Sequence, residues 1–454
     1  MTRSGGLGQP ADKTMHAAPV FADRIAASGL YMAAASITIS ASMQTAGLLI
    51  ALLAALLTPA CWRWTLRQPL LWLCVALAVF VALRAISAAS EFPDTAAAQH
   101  RAAMDWIRLL LFVPLAFWLI TPSERVTRLL VIAALGVVVG TAIAAVQYLQ
   151  LPNHDSHRFG GMLQKPIVYA FYVSLVFIGA CIWLPEMSAW HRRYRGWKQI
   201  LLAAALLSAL ALLAWGFVAS RSRTPLLPLV FVLPPLLVVR YARHWKGIGF
   251  VRGMLGLVVL LLTAVSIVTS DAIGSRLQEV VTSLDAVGTV GLKAAEHDNV
   301  TLRLLMWQFG IENWLQRPWL GWGPGSIEML QRTLGTLPAL NDEPWDHLHN
   351  AYVQILFCFG AVGALLFGTV FTVLCAALAG RVTREARQVR APGAPVSDTL
   401  SLFLFGILAS ILVYSLTDFR HLNHDWRTFW LLAAAAATAC ATSQPPRVTH
   451  AVNG

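Results

Sequence analysis

Four short stretches carry the residues able to do polar chemistry in an otherwise apolar chain. The most suggestive is Asp346-His347-Leu348-His349-Asn350. Imidazole titrates near neutrality and can take a proton from a hydroxyl. Upstream stand Arg303, the run Ser220-Arg221-Ser222-Arg223-Thr224-Pro225, and Arg158-Phe159-Gly160-Gly161 followed by Gln164-Lys165-Pro166. Arginine forks onto phosphate, and glycine lets a backbone approach a ligand. Several cations plus a neutral base are the minimum for a reaction in which a deprotonated hydroxyl displaces a diphosphate. Spacing alone leaves plainer readings open: cations at headgroup level, a helix-capping histidine, polar turns. Histidines two apart do not share a helix face. A metal site would therefore need an extended backbone and distant ligands, such as Asp418, His421, His424 or Asp425. No Asp-x-Asp or zinc-type spacing occurs, so no metal and no other cofactor is expected.

These residues are set among apolar segments. Of the 454 residues, 57% are hydrophobic and only 12% charged, which excludes an ordinary soluble domain. Twelve apolar stretches are predicted as membrane helices, at 26–41, 43–60, 69–87, 106–121, 127–149, 166–184, 199–219, 224–239, 254–269, 350–379, 399–417 and 427–442. The expected fold is an all-α polytopic membrane protein. It has a cytoplasmic tail (1–25), nine helices (26–269), a long periplasmic loop (270–349), three more helices (350–442) and a second cytoplasmic tail (443–454). The six cysteines fall in or beside apolar stretches and suggest no disulfide framework.

The formal net charge of +12 would suggest nucleic acid in a soluble protein. Here it follows alternate loops. With the N-terminus inside, the cytoplasmic segments hold 20 of the 34 Lys and Arg but only six acids. Those segments net +14 and the outer ones −2. Both termini are therefore expected in the cytoplasm, and the four chemical stretches on the outer face. The spans contain almost no acids, which argues against an ion-coupled transporter.

In the long loop, Leu302, Leu305, Met306 and Phe309 repeat at helical spacing. They are followed by Pro318-Trp319-Leu320-Gly321-Trp322-Gly323-Pro324-Gly325. This predicts an amphipathic helix lying on the outer membrane surface, anchored by indoles.

The order of these motifs resembles the O-antigen ligase and polymerase superfamily of bacterial envelopes, over roughly residues 125–420. It runs from Arg-x-Gly-Gly, through Ser-Arg-x between spans and a loop with Thr-Leu-Arg and Pro-Trp-Leu-Gly-Trp-Gly-Pro-Gly, to His-x-His-Asn at the head of a span. The resemblance implies a fold akin to the C-type glycosyltransferases. It implies a catalytic role for His349 and pyrophosphate binding by Arg158, Arg223 and Arg303, with His347, Arg221 and Lys165 as accessories. The family often has Asn-Pro-Asn where this chain has Gln164-Lys165-Pro166-Ile167. The implied activity is an O-antigen ligase of the bacterial inner membrane. It would move polysaccharide from undecaprenyl pyrophosphate to a sugar hydroxyl of lipid A-core, by metal-independent inverting transfer on the periplasmic side. The alternatives are an O-antigen polymerase and, outside enzymes, a lipid-oligosaccharide flippase or export channel.

Overall fold

The computed structural model describes residues 20–120, 124–152, 157–191, 196–241, 282, 299–334, 347–388 and 398–442. Outside them lie the apolar stretch 254–269, Asp346, parts of the long loop, the C-terminal tail and most of the N-terminal tail. The described residues are helical, without strands.

In chain order the helices are α1 (Val20–Ala35), α2 (Ala41–Leu57), α3 (Pro59–Thr65), α4 (Pro69–Glu91), α5 (Ala96–Arg108), α6 (Phe112–Ile120), α7 (Glu124–Leu149) and α8 (Pro166–His191). There follow α9 (Trp197–Ala219), a π turn (Pro228–Val232), α10 (Leu233–Tyr241), α11 (Asn299–Gln316), α12 (Ile327–Leu334), α13 (Ala351–Gln388), α14 (Asp398–Tyr414) and α15 (His424–Thr442). Every predicted apolar stretch within the described residues falls on one or two of these helices. Among the described residues six helices are long and apolar enough to cross a membrane, or seven if the pair bent by 90° at α2–α3 is one span. The architecture is that of a multi-pass helical membrane protein.

Local chemistry sets the boundaries. Ser40 accepts from the Met43 amide and starts α2. Pro59 and Pro69 occupy first-turn positions, where a missing N–H costs nothing. At the centre stands α15. Its alanine run 433–437 is buried, and small residues let neighbouring helices close on it.

Ion pairs and loop contacts sort the two ends of the bundle. At one end Arg125, at the start of α7, binds Asp23 of α1. Arg240, in the last turn of α10, pairs with Glu186, and Arg381 bonds the Cys440 carbonyl. At the other end the head of α8 meets the head of α15 through Lys165 and Asp425, and the Ala351 amide at the head of α13 donates to Ser415 just past α14. The first end carries cations predicted for the positive side. The second carries the candidate chemistry.

The long loop differs from expectation. Helix α11 does present Leu305, Met306 and Phe309 on one face, but they are buried against the protein. Phe309 stacks on Phe357 of α13, and Gly310 lies against Leu348 and Val353. Periodicity reports an apolar face, not what covers it, and here protein rather than lipid covers it. Of the loop tryptophans, Trp319 is exposed, while Trp322 is buried and donates to the Asn313 carbonyl. Helix α11 crosses the end of the bundle: Arg303 in its first half reaches Thr417, and Arg317 just past its end pairs with Glu91 of α4.

Candidate active site

His349 is placed by the construction of the α13 head. Asn350 caps that helix: its Oδ1 accepts from the amides of Tyr352 (3.0 Å) and Val353 (3.1 Å). Its Nδ2 donates to the Leu416 carbonyl at 2.9 Å, so the cap also ties α13 to the end of α14. The Leu348 amide donates to Gln354 Oε1 at 2.9 Å. Between them His349 adopts a left-handed backbone, φ 50°. For a residue with a Cβ that conformation costs roughly 1–2 kcal/mol. It swings the two imidazoles together, with centroids 4.2 Å apart. The i, i+2 spacing that forbade this on a helix is overcome by one positive φ.

Opposite His349 lies the turn between α14 and α15. Asp418 is fully buried there. It accepts from His349 Nδ1 (3.2 Å), Tyr414 OH (2.9 Å), Arg420 Nε (3.2 Å) and the Phe419 amide (2.9 Å). Burial alone would raise its pKa, but the His349 bond and the Arg420 charge dominate and hold it well below the usual carboxylate range. An ionised Asp418 only accepts, so Nδ1 of His349 carries the proton and Nε2 is the basic nitrogen. Burial lowers the His349 pKa from its usual 6.5. The Asp418 bond opposes this, and the nearby His347 and Arg303 charges reinforce it. The imidazole is therefore neutral at pH 7. Arg303 donates to the Thr417 carbonyl at 2.9 Å, which fixes it beside this turn. His421, pushed down to about 4 mainly by burial, is neutral as well.

His347, His349 and Asp418 present ligand atoms within 4.8 Å of one another. A divalent ion would have to compete with Tyr414, Arg420 and the Phe419 amide for the carboxylate, next to two guanidinium charges. The donor set is small enough for a metal; the charge around it suits an anion better.

The second group forms at the ends of α8 and α9. The Phe159 amide donates to the Ala219 carbonyl at 3.0 Å. Arg158 donates through Nε to the Ser220 carbonyl (3.0 Å) and through Nη2 to Ser222 Oγ (2.8 Å). Arg158 thus braces the Ser-Arg-Ser turn, in which Arg221 has a left-handed backbone (φ 49°) and both Arg221 and Arg223 are exposed. The Gly-Gly pair serves the chain itself. A Cβ on Gly160 would stand 2.5 Å from the Gln164 backbone, and one on Gly161 2.8 Å from the Tyr169 ring. The space beside the two glycines is filled by the protein's own turn and not by a ligand approach. Lys165 binds the buried Asp425 at 3.0 Å.

The candidate residues therefore gather at one end in two groups. His349, His347 and Arg303 join Asp418, while Arg158 joins the turn bearing Arg221 and Arg223; Lys165 links the head of α8 to that of α15. Tyr414 and Arg420 were missed. Tyr414-x-x-x-Asp418 is an i, i+4 pair, which was the available signal. Among α7, α8, α9 and α15 an apolar cavity of about 860 Å³ runs from Tyr172 to Glu186 and Met187, in the half of the bundle that holds the Arg240–Glu186 pair and apart from the candidate residues. Along α8 that is about 22 Å.

A family model described as O-antigen ligase matches residues 208–368. That is about a third of the chain. It includes Arg221, Arg223, Arg303, His347 and His349 but not Arg158, Lys165 or Asp418. No curated protein matches the chain.

Proposed function

We propose, from the match of residues 208–368 to a family model described as O-antigen ligase, that this chain is an O-antigen ligase acting by direct inverting transfer. The donor is polysaccharide on undecaprenyl pyrophosphate, and the acceptor is a sugar hydroxyl of lipid A-core. His349 Nε2 takes the acceptor proton as the hydroxyl oxygen attacks the anomeric carbon. The bond from that carbon to the pyrophosphate oxygen breaks, and its electron pair leaves with the pyrophosphate. The imidazolium that forms is stabilised by ionised Asp418, which also fixes the tautomer. Arg303 and the exposed Arg221 and Arg223 offset the charge growing on the leaving group. Arg158 serves by holding the turn that presents Arg221 and Arg223, and Lys165 adds a cation at the edge. His347, against the His349 ring, helps keep it neutral. No step needs a metal or other cofactor.

The observation that carries this reading is the contact of His349, beside Arg303 within the matched segment, with the buried Asp418 outside it. The cations Arg125, Arg240 and Arg381 at the opposite end support an inner-membrane protein whose site faces the periplasm, with both termini cytoplasmic.

A deletion strain read on a lipopolysaccharide gel tests the proposal. Loss of a ligase leaves core alone, with long polymer accumulating on its lipid carrier. Core plus one repeat would instead identify a polymerase, and an unchanged ladder would count against both enzymes.

A further inference from the structure

We infer that Arg84 is a positioning residue for His349, acting through the glycine-rich turn and the broken head of α13. Arg84 lies inside α4, a membrane-spanning helix, and is 7% exposed. A charge in such a helix is costly and calls for a reason. Its Nε donates to the Leu320 carbonyl at 2.9 Å and its Nη2 to the Gly321 carbonyl at 2.7 Å.

Those carbonyls belong to the turn that repairs α13. Gly360 has φ 62° and interrupts the helix. In an unbroken helix the amides of Ala361 and Val362 would bond the carbonyls of Phe357 and Cys358. Here those two carbonyls accept instead from the amides of Trp322 and Gly323, both at 2.9 Å. The amides of Ala361 and Val362 donate to the carbonyls of Pro318 (2.8 Å) and Trp319 (3.2 Å). The turn thus takes up all four of these groups. It can do so only without side chains at the contact: a Cβ on Gly321 would lie 2.5 Å from the Phe357 oxygen, and one on Gly360 2.3 Å from Trp319 backbone.

The segment 351–359 is therefore located by the turn rather than by the rest of α13. At its head stand Asn350 and His349. The turn is in turn fixed from α4 and α5. Arg84 forks over its two outward carbonyls, and Glu91 pairs with Arg317. Gln99 donates to Ser326 at 2.7 Å and accepts from the Gly325 amide at 2.9 Å. Lysine would keep the charge of Arg84 but not the planar fork.

This inference rests on His349 being the base. Its test is transfer kinetics of purified Arg84→Gln, Arg84→Lys, Asp418→Asn and the double variant Arg84→Gln/Asp418→Asn, with thermal unfolding in detergent for each. A base displaced by about 1 Å loses roughly 100-fold in kcat, so Arg84→Gln should show that loss with KM nearly unchanged. Arg84→Lys should recover part of it. The double variant should be no slower than its slower parent, because both changes act on one imidazole. A normal kcat per folded Arg84→Gln molecule, or losses that multiply in the double variant, would overturn the inference. Should Arg84→Gln fail to fold, Arg84→Lys decides: reduced kcat at normal thermal stability supports the inference, and normal kcat refutes it. A wild-type rate in Asp418→Asn alone would instead fault the assignment of His349 as base and take this inference with it.

Discussion

His349 and Arg223 stand at the same end of the bundle, yet the chain holds them in opposite ways. His349 is half-buried, on a left-handed backbone, against a carboxylate that accepts four hydrogen bonds. Arg223 is exposed on a short turn that Arg158 pins through its backbone and Ser222. A proton transfer depends on angle and pKa, which a buried, saturated network preorganises. A large, flexible diphosphate is better met by long cationic side chains at a surface. The contrast predicts steep losses at the first group and graded ones at the second.

The sharpest way to break the comparison is His349→Ala. It should cut transfer at least about a thousandfold while the protein still folds, assayed in vitro with lipid-linked donor and core acceptor. Comparable rates in the variant would remove the base from the mechanism.

Next comes Asp418→Asn, expected to cost roughly 100-fold through loss of the fixed tautomer. It also has a pH signature. Burial holds the His349 pKa below its usual value, so the neutral, active form prevails at pH 7 and transfer falls only as the pH drops through that lowered pKa. The Asp418 bond pulls that pKa upward. Without it the acid limb of kcat should move to still lower pH, and a shift to higher pH would contradict the charge assignment.

Arg223→Ala should cost about tenfold, largely restored by lysine, since a surface clamp shares its charge among neighbours. A thousandfold loss that lysine leaves unrescued would place Arg223 with the preorganised group instead. The smallest expected effect is none: excess EDTA should leave transfer unchanged. Inhibition reversed by added divalent ion would make His347, His349 and Asp418 a working metal site.

Much of the fold was legible in the sequence because a membrane span must be long, apolar and helical, and each of those demands is written locally. The segregation of Arg125, Arg240 and Arg381 from Arg221, Arg223 and Arg303 at the other end of the bundle was equally readable, since loop charge follows topology. Two local readings failed for physical reasons. The stripe Leu305-Met306-Phe309 was assigned to lipid, but a face packed on protein has the same periodicity. Gly160-Gly161 was read as a ligand approach, whereas Gln164 and Tyr169 occupy the space.

By itself the sequence determined the helices, the charge asymmetry and the identity of the polar residues, because propensity, hydropathy and capping act over a few neighbours. Only the tertiary structure decided that His349 meets Asp418, that Arg158 serves the turn bearing Arg221 and Arg223, and that Arg84 grips the turn closing the break in α13. Those contacts join residues 69, 62 and 236 positions apart in the chain. No local preference encodes such pairings; they arise when packed helices bring distant donors and acceptors into one buried space, where each must find a partner.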